Sequence, residues 1–413
     1  MNDRATSRPS AWAYVFVFAI IYISQDTLLF GTNSNTLFDT ILYISMPVLI
    51  VGVFAYGCTK NAPIQTNVLA ATAVMCVLTL ATLVFAEGSM NPKYFYGCMM
   101  YILAFLICTV IPARQFRRVF ADIMAGLALF SLAAFAIRYV YPGITQLLPT
   151  VVNVNGYQYG NMLFAMIPHD VAYVTFRNYG IFREPGVYQI FLNLALLFLL
   201  EDRKEHKPWK LYATVLALVF TFSTAAYIIF GVIVLVNLLT GKIKFSVRLL
   251  WQVALAAAVV GYLFVNGIIR YDSAIFTKLF SANASLNSRM GSVLVDWHMG
   301  MQSPILGNGF EYVEKNFGLT ALNLYGLTRL SNTNTILKMF AVYGFVKPCM
   351  FLLGTVLFCK KNLAKKAWLL YVTVFVLLLS NEDIIFNTII YIIMIYGFMN
   401  EEVTENDHAL IGD

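Results

Sequence analysis

Charge is scarce in this sequence. Asp, Glu, Lys and Arg make up 12% of its 413 residues, whereas 60% are hydrophobic. A soluble globular chain carries roughly 25% charged residues, and half that supply cannot cover the surface of a water-soluble fold. With a mean hydropathy of +0.73, the chain is expected in a bilayer, where lipid tails act as the solvent. Histidine is rarer still, at four residues, and neither His169 nor His298 is expected to act as a catalytic base. Six cysteines occur (Cys58, Cys76, Cys98, Cys108, Cys349 and Cys359) with no C-x-x-C spacing. They read as small apolar packing residues, not as a disulfide framework or a thiolate metal site. D-x-D, H-x-x-H and Walker sequences are also missing, which weighs against metal-dependent transfer chemistry and ATP-driven transport.

What charge there is has a pattern. The net charge of +7 does not gather into one basic patch, so nucleic acid is not an expected partner. Lys and Arg instead sit in small clusters between long apolar runs. About 12 membrane spans are expected, at 11–24, 37–57, 67–86, 95–112, 119–141, 187–200, 211–223, 225–240, 251–267, 334–357, 367–380 and 384–399. The stretch 211–240 is too long for one helix, and Thr221, Ser223 and Thr224 in its middle suggest a tight polar reversal. With the N-terminus inside, the inner segments hold Arg4 and Arg8, Lys60, Arg114, Arg117 and Arg118. They also hold Arg203, Lys204, Lys207 and Lys210, Lys242, Lys244 and Arg248, and Lys360, Lys361, Lys365 and Lys366. The short outer loops hold Lys93 alone. This bias predicts both termini inside, with a retained first helix and not a cleaved signal peptide. The acidic tail at 400–413 is expected to be disordered.

Two outer loops are long, 142–186 and 268–333, and long loops in a compact chain carry function. The first ends in Arg177-Asn178-Tyr179-Gly180-Ile181-Phe182-Arg183-Glu184-Pro185-Gly186, directly before a span. A guanidinium is a permanently charged fork suited to two phosphate oxygens, and lipid phosphates lie at this depth. Glu184 stands where a helix dipole favours an acid. The competing reading has Arg177 and Arg183 reaching for headgroups while Glu184 caps the helix. In the second loop, Met290, Val293, Leu294, Trp297 and Met301 share one helical face, and Arg289, Ser292 and Asp296 share another. Ser288 is a suitable N-cap. The pattern predicts an amphipathic helix on the outer membrane surface, presenting Arg289 and Asp296 to water, or simply a surface Arg–Asp pair. A turn-rich exit follows at 302–310.

Tyr157, Tyr159, Tyr173, Phe176, Tyr179, Phe182, Trp297, Phe310 and Tyr312 add aromatic rings to these loops. They could stack on sugar faces or form an interfacial belt. Arg138 and Lys338 lie near the outer ends of their spans. A charge at that depth is a functional candidate, with snorkelling the alternative. Lys338 follows Asn334 by one turn, close to the suspected site.

Three blocks together resemble the O-antigen polymerase and ligase superfamily. The first is R-x-x-G-x-F-x-E-P at Arg177, Gly180, Phe182, Glu184 and Pro185. The second is S-R-x(7)-W followed by P-I-L-G-x-G, at Ser288, Arg289, Trp297, Pro304, Gly307 and Gly309. The third is N-x-x-L-x(5)-Y-G at Asn334, Leu337, Tyr343 and Gly344. Ligases of this superfamily carry a catalytic His immediately before the third block's Asn. Here Thr333 stands there, with Ser331 two residues earlier, which favours polymerase over ligase.

The resemblance implies an all-α polytopic membrane protein of the O-antigen ligase/GT-C-like kind, forming one domain over 1–413 in a bacterial inner membrane. It implies a metal-independent, inverting-type glycosyltransferase without cofactor. Its partners would be undecaprenyl-diphosphate-linked glycans, the bilayer and a chain-length regulator in the same membrane. Arg177 and Arg289 would be the catalytic arginines and Glu184 the base. Arg183, Lys338, Asn334, Asp296 and Tyr179 would contact substrate. A ligase acting on lipid A core and a lipid flippase without chemistry are the alternatives. A flippase should line a central cavity with charge, and this chain keeps its charge in loops.

Overall fold

The computed structural model describes residues 9–169, 177–241, 283–327, 332–363 and 367–400. The expected span 251–267, the basic residues Lys242, Lys244 and Arg248, the aromatics Tyr173 and Phe176, Ser331 and the tail beyond Asn400 lie outside the described residues.

The chain is mostly helical, and among the described residues four helices are long and apolar enough to cross a membrane: Thr36–Thr59, Thr66–Phe85, Pro92–Val110 and Ala113–Val140. The last has 28 residues and is about 42 Å long at 1.5 Å per residue. Leu37, Ile44, Val48, Val51 and Phe54 all stand exposed on Thr36–Thr59. So large an apolar face is a liability in water, and it suggests membrane insertion. Shorter apolar helices occupy other expected stretches: Ala11–Tyr22, Pro185–Glu201, Pro208–Val219, Thr224–Leu239, Trp368–Leu379 and Thr388–Phe398. The reversal within 211–240 falls where the polar residues placed it. Phe222 takes a positive φ of 46°, and Ser223 caps the next helix by accepting from Ala226 N.

Two helices form the centre. Pro185–Glu201 is buried at every position from Pro185 to Leu200, and Thr388–Phe398 from Thr388 to Gly397. Sequestered from both water and lipid, they need no polar face, which explains their near-continuous apolar sequence.

Three expectations are corrected. The fold is not purely α-helical. Thr150–Val152 (β1), Gln158–Asn161 (β2) and Met166–Pro168 (β3) form an antiparallel sheet in the order β1-β2-β3 inside the first long loop. Its first turn is built by Asn153, whose Oδ1 accepts from Asn155 N and Tyr157 N, a side chain taking over backbone hydrogen bonding.

The second correction concerns the amphipathic helix, which runs Asn283–Gln302, so Ser288 lies inside it and is no N-cap. Its polar face turns inward: Ser292 and Asp296 are fully buried beside Val295 and Met299, while Met290, Leu294, Trp297 and Met301 are exposed. The apolar face is thus free for lipid, but Asp296 does not meet water.

Third, the stretch 334–357 is broken into Thr335–Tyr343 and Val346–Asn362. At the break Gly344 has φ +75°. The 304–309 turn docks there, with Asn308 N and Gly309 N donating to the carbonyls of Ala341 and Val342, and Phe345 N donating to Pro304 O. A side chain on Gly344 would press on the Ile305 carbonyl. The turn-rich exit leads into a further helix, Phe310–Tyr325.

Candidate functional site

Three helices begin at one place. Pro185–Glu201, Thr335–Tyr343 and Thr388–Phe398 bring their N-termini together where the loops at 177–184, 332–334 and 380–387 meet. The joints are hydrogen bonds: Thr335 Oγ1 donates to Glu382 O (2.7 Å) and accepts from Ile384 N (3.0 Å), and Arg183 Nη2 donates to Asp383 O (2.7 Å). Each N-terminus carries partial positive charge and unpaired N–H groups. Asn334 and Asn387 cap two of them, accepting from Leu337 N (2.9 Å) and Ile389 N (3.0 Å). Glu184 occupies the cap position of the third without a side-chain cap bond, because its carboxyl meets Glu382 instead.

The first-loop arginines reach this junction by different routes. Arg177 is pinned to the 220–223 turn, its Nε donating to Thr221 O at 2.7 Å, and Asn178 N donates to Phe220 O at 2.8 Å. Arg183 is held by the buried loop after Ala11–Tyr22. Its N donates to Asp26 O at 3.0 Å, and its Nη2 lies 3.7 Å from Asp26 Oδ1. Asp26 Oδ2 in turn accepts from Asn387 Nδ2 at 2.5 Å. Arg289, half-buried on Asn283–Gln302, approaches from the second long loop.

These arginines converge electrostatically on one carboxyl, Glu382. Arg177, Arg183 and Arg289 each interact with it. Burial, then the adjacent Glu184, pushes the Glu382 carboxyl up to about 8 despite Arg183 and Arg289. Asp383 behaves oppositely: burial opposes its charge, but Lys338, with Nζ 2.6 Å from Oδ2, outweighs burial and holds the carboxyl below its ordinary range. Burial lifts Asp26 to about 6 against the pull of Arg183. The neighbourhood is a lattice of alternating charge in which each sign is compensated only by close neighbours.

The remaining expected residues fall as follows. Lys338 is buried and committed to Asp383. Asn334 spends its side-chain oxygen on the cap. Asp296 Oδ1 accepts from Asn332 Nδ2 at 2.6 Å, and its Oδ2 has no partner among the described residues. Burial lifts the Asp296 carboxyl well above its ordinary range. Tyr179 is buried, with its ring against Tyr159 at 5.8 Å between centroids, so it offers no open face to a sugar. Tyr157 and Trp297 are exposed. Arg138 does not snorkel outward. It is buried, and its Nη1 and Nη2 donate to Pro142 O (2.8 Å) and His169 O (3.3 Å). Arg138 and Arg177 line a small cleft, partly open to solvent, with Asn178, Tyr179 and Met166.

Sequence reading missed Asp26, Glu382 and Asp383. Their signal was available: an Asn-Glu-Asp run at 381–383 between two apolar spans, and an acid at 26 just after the first span. Short polar connectors look like ordinary loops until the helices place them beside the arginines. At the far end of Ala113–Val140 from Arg138, Arg117 pairs with Asp202 (3.0 Å), Arg114 with Glu205, and Lys210 with Asp122 (2.5 Å). Arg114, Arg117 and Lys210, all expected inside, therefore have their own acidic partners, away from the junction. Among the described residues, no group of three or more His, Cys, Asp or Glu is placed to hold a metal ion.

Chemically, the junction can hold an anion against guanidinium forks and helix N-termini and can move a proton between closely spaced carboxyls. No protein-family model, curated protein or solved structure matches this chain.

Proposed function

We propose that the chain is a polytopic inner-membrane glycosyltransferase with about 12 spans and both termini inside. It polymerises undecaprenyl-diphosphate-linked oligosaccharide repeats into O-antigen or a related surface polysaccharide at the periplasmic face. The observation that carries this reading is that Arg177 and Arg183 of one long loop and Arg289 of another interact electrostatically with a single carboxyl, Glu382, at the N-termini of three helices.

In the proposed reaction, a hydroxyl of one lipid-linked repeat attacks the anomeric carbon of the growing chain. The glycosidic bond forms as the bond to diphosphate breaks, and negative charge develops on the departing undecaprenyl diphosphate. Arg177 and Arg289 stabilise that charge, with help from the helix dipoles. Such fixed donors cost no reorganisation at the moment of reaction. Arg183, tied to Asp26 and Asp383, holds the loop in place and adds charge. Glu184 takes the hydroxyl proton. The exposed apolar face of Asn283–Gln302 lies along the lipid, beside the polyprenyl chain.

Ligation to lipid A core is the second reading, and Thr333 at the place of the ligase histidine weighs against it. A gel of lipopolysaccharide from cells carrying Arg177→Ala or Arg289→Ala separates the possibilities. Loss of polymerase leaves core plus a single repeat, and loss of ligase leaves bare core. A normal ladder in both variants rejects the assignment.

A further inference from the structure

Two carboxyl groups meet at the centre of the junction. The Glu382 side chain is hydrogen-bonded to that of Glu184 and lies against the first turn of Pro185–Glu201, where a Cβ on Gly186 would fall 2.1 Å from Glu382 Oε1. Gly186 therefore leaves the space that lets the second acid in. Two ionised carboxylates are both acceptors and cannot hydrogen-bond to each other, so a proton must lie between them.

We propose that Glu184 and Glu382 form a one-proton pair, in which Glu382 is the donor and Glu184 the carboxylate that receives the acceptor hydroxyl's proton. This inference rests on the glycosyl-transfer reading and names a second residue for it. In the step, the hydroxyl oxygen bonds to the anomeric carbon, the electron pair of the broken bond leaves with the diphosphate, and the hydroxyl proton passes to Glu184. The pair is then doubly protonated, and one proton returns to the outer water before the next cycle. Donation from Glu382 keeps the Glu184 carboxyl aimed at the acceptor hydroxyl.

The surroundings favour a proton on Glu382. It faces Glu184, Arg183 and Arg177 from the first loop and Arg289 from the second. Asp383 follows it in its own loop, neutralised by Lys338, and Asp26 lies behind Arg183. Burial and the adjacent carboxylate outweigh the arginines and push the Glu382 carboxyl up to about 8, which favours a proton on it at neutral pH.

The test is an infrared pH titration of the full-length protein in lipid nanodiscs, following the C=O stretch of neutral carboxylic acid. The wild type should lose one neutral-acid band near pH 8, and Glu382→Gln should lack that transition. Glu184→Gln removes the neighbouring charge and should move the transition toward acid by about one pH unit or more. Gly186→Ala, which displaces Glu382, should do the same if Glu382→Gln fails to fold. A transition unmoved by Glu184→Gln, or none at alkaline pH in the wild type, overturns the pair.

On the polysaccharide gel, Glu382→Leu should shorten the ladder more than Glu382→Gln does, because the amide still donates. Glu184→Gln should lower transfer about a hundredfold or more. Ladders of equal length from Glu382→Gln and Glu382→Leu remove Glu382 from the reaction. The infrared readout uses no sugar substrate, so failure of the polymerase reading and failure of the proton pair are seen separately.

Discussion

Lys338 Nζ lies 2.6 Å from Asp383 Oδ2, an ion pair with side chains only 9% and 20% exposed. It joins the Thr335–Tyr343 helix to the loop that carries Glu382, and thereby fixes how the central helix Thr388–Phe398 begins. Both charges are desolvated, so neither tolerates the loss of the other. Lys338→Met should therefore cost about 3–5 kcal/mol, much of it from stranding Asp383. The double variant Lys338→Met/Asp383→Leu should recover a large part of that loss. Thermal unfolding in detergent measures both. A double variant as unstable as the sum of the two single ones would show that the pair is not coupled.

Asp26 makes stability depend on pH in a defined direction. Its carboxyl is raised from 3.8 to about 6 in the folded protein, so the folded state favours the protonated acid. Stability from this group is fully present below pH 3.8 and is lost as pH rises toward 6, a span worth about 3 kcal/mol. Asp383 is shifted the opposite way and acts at lower pH, while Glu382, raised to about 8, adds a slope of the same sign as Asp26, so a variant isolates Asp26. Asp26→Asn should flatten the acid-side decline relative to wild type while the neighbouring Asn387 is retained. Melting curves across this range that stay parallel for the two proteins contradict the assignment.

Gly344 explains the last part of the third sequence block. With φ +75° and the Ile305 carbonyl 2.2 Å from where a Cβ would sit, it permits both the helix break and the docking of the 304–309 turn. Gly344→Ala should cost about 1–3 kcal/mol in backbone strain alone, with displacement of the turn added. The amount of folded protein recovered from membranes and its melting temperature report the loss. An alanine variant as stable as wild type would mean that the break is not needed to seat the turn.

The helices were legible because apolar runs and their basic flanks are strong, one-dimensional signals. Thr36–Thr59 and Thr66–Phe85 lie within a residue or two of their expected ends. The β1–β3 sheet was not legible, because strands of three and four residues fall below any periodicity a loop can display. The face of Asn283–Gln302 was read correctly as a pattern and wrongly as a direction. Periodicity shows that Ser292 and Asp296 share a side, but burying that side requires partners from elsewhere, namely Asn332 and Thr333, whose contacts with them form only in three dimensions. For the same reason Arg177, Arg183, Arg289 and Glu184 stand out in the sequence, whereas Glu382 sits in a short polar connector whose place against Gly186 is set only by the fold.

The arginines should separate by role when their affinity for inorganic pyrophosphate is measured on the full-length protein in nanodiscs. Arg183 is already engaged by Asp26 and the Asp383 carbonyl, so Arg183→Ala should chiefly lower the melting temperature, by releasing the buried Asp26 carboxyl. Arg289 comes from another loop, and Arg177 donates from Nε to Thr221 O, with no further side-chain hydrogen bond among the described residues, so the proposed anion would meet the rest of its fork. Arg177→Ala and Arg289→Ala should each weaken pyrophosphate binding by about 1.5–3 kcal/mol, roughly 10- to 150-fold. Lysine at either place should restore only part, because it returns the charge without the two-pronged geometry. Binding should also weaken as salt rises, more gently in a partly buried site than at an exposed one. Pyrophosphate affinity unchanged by both alanine substitutions would leave the convergence of these arginines without an anion to serve, and the transfer reading would fall with it.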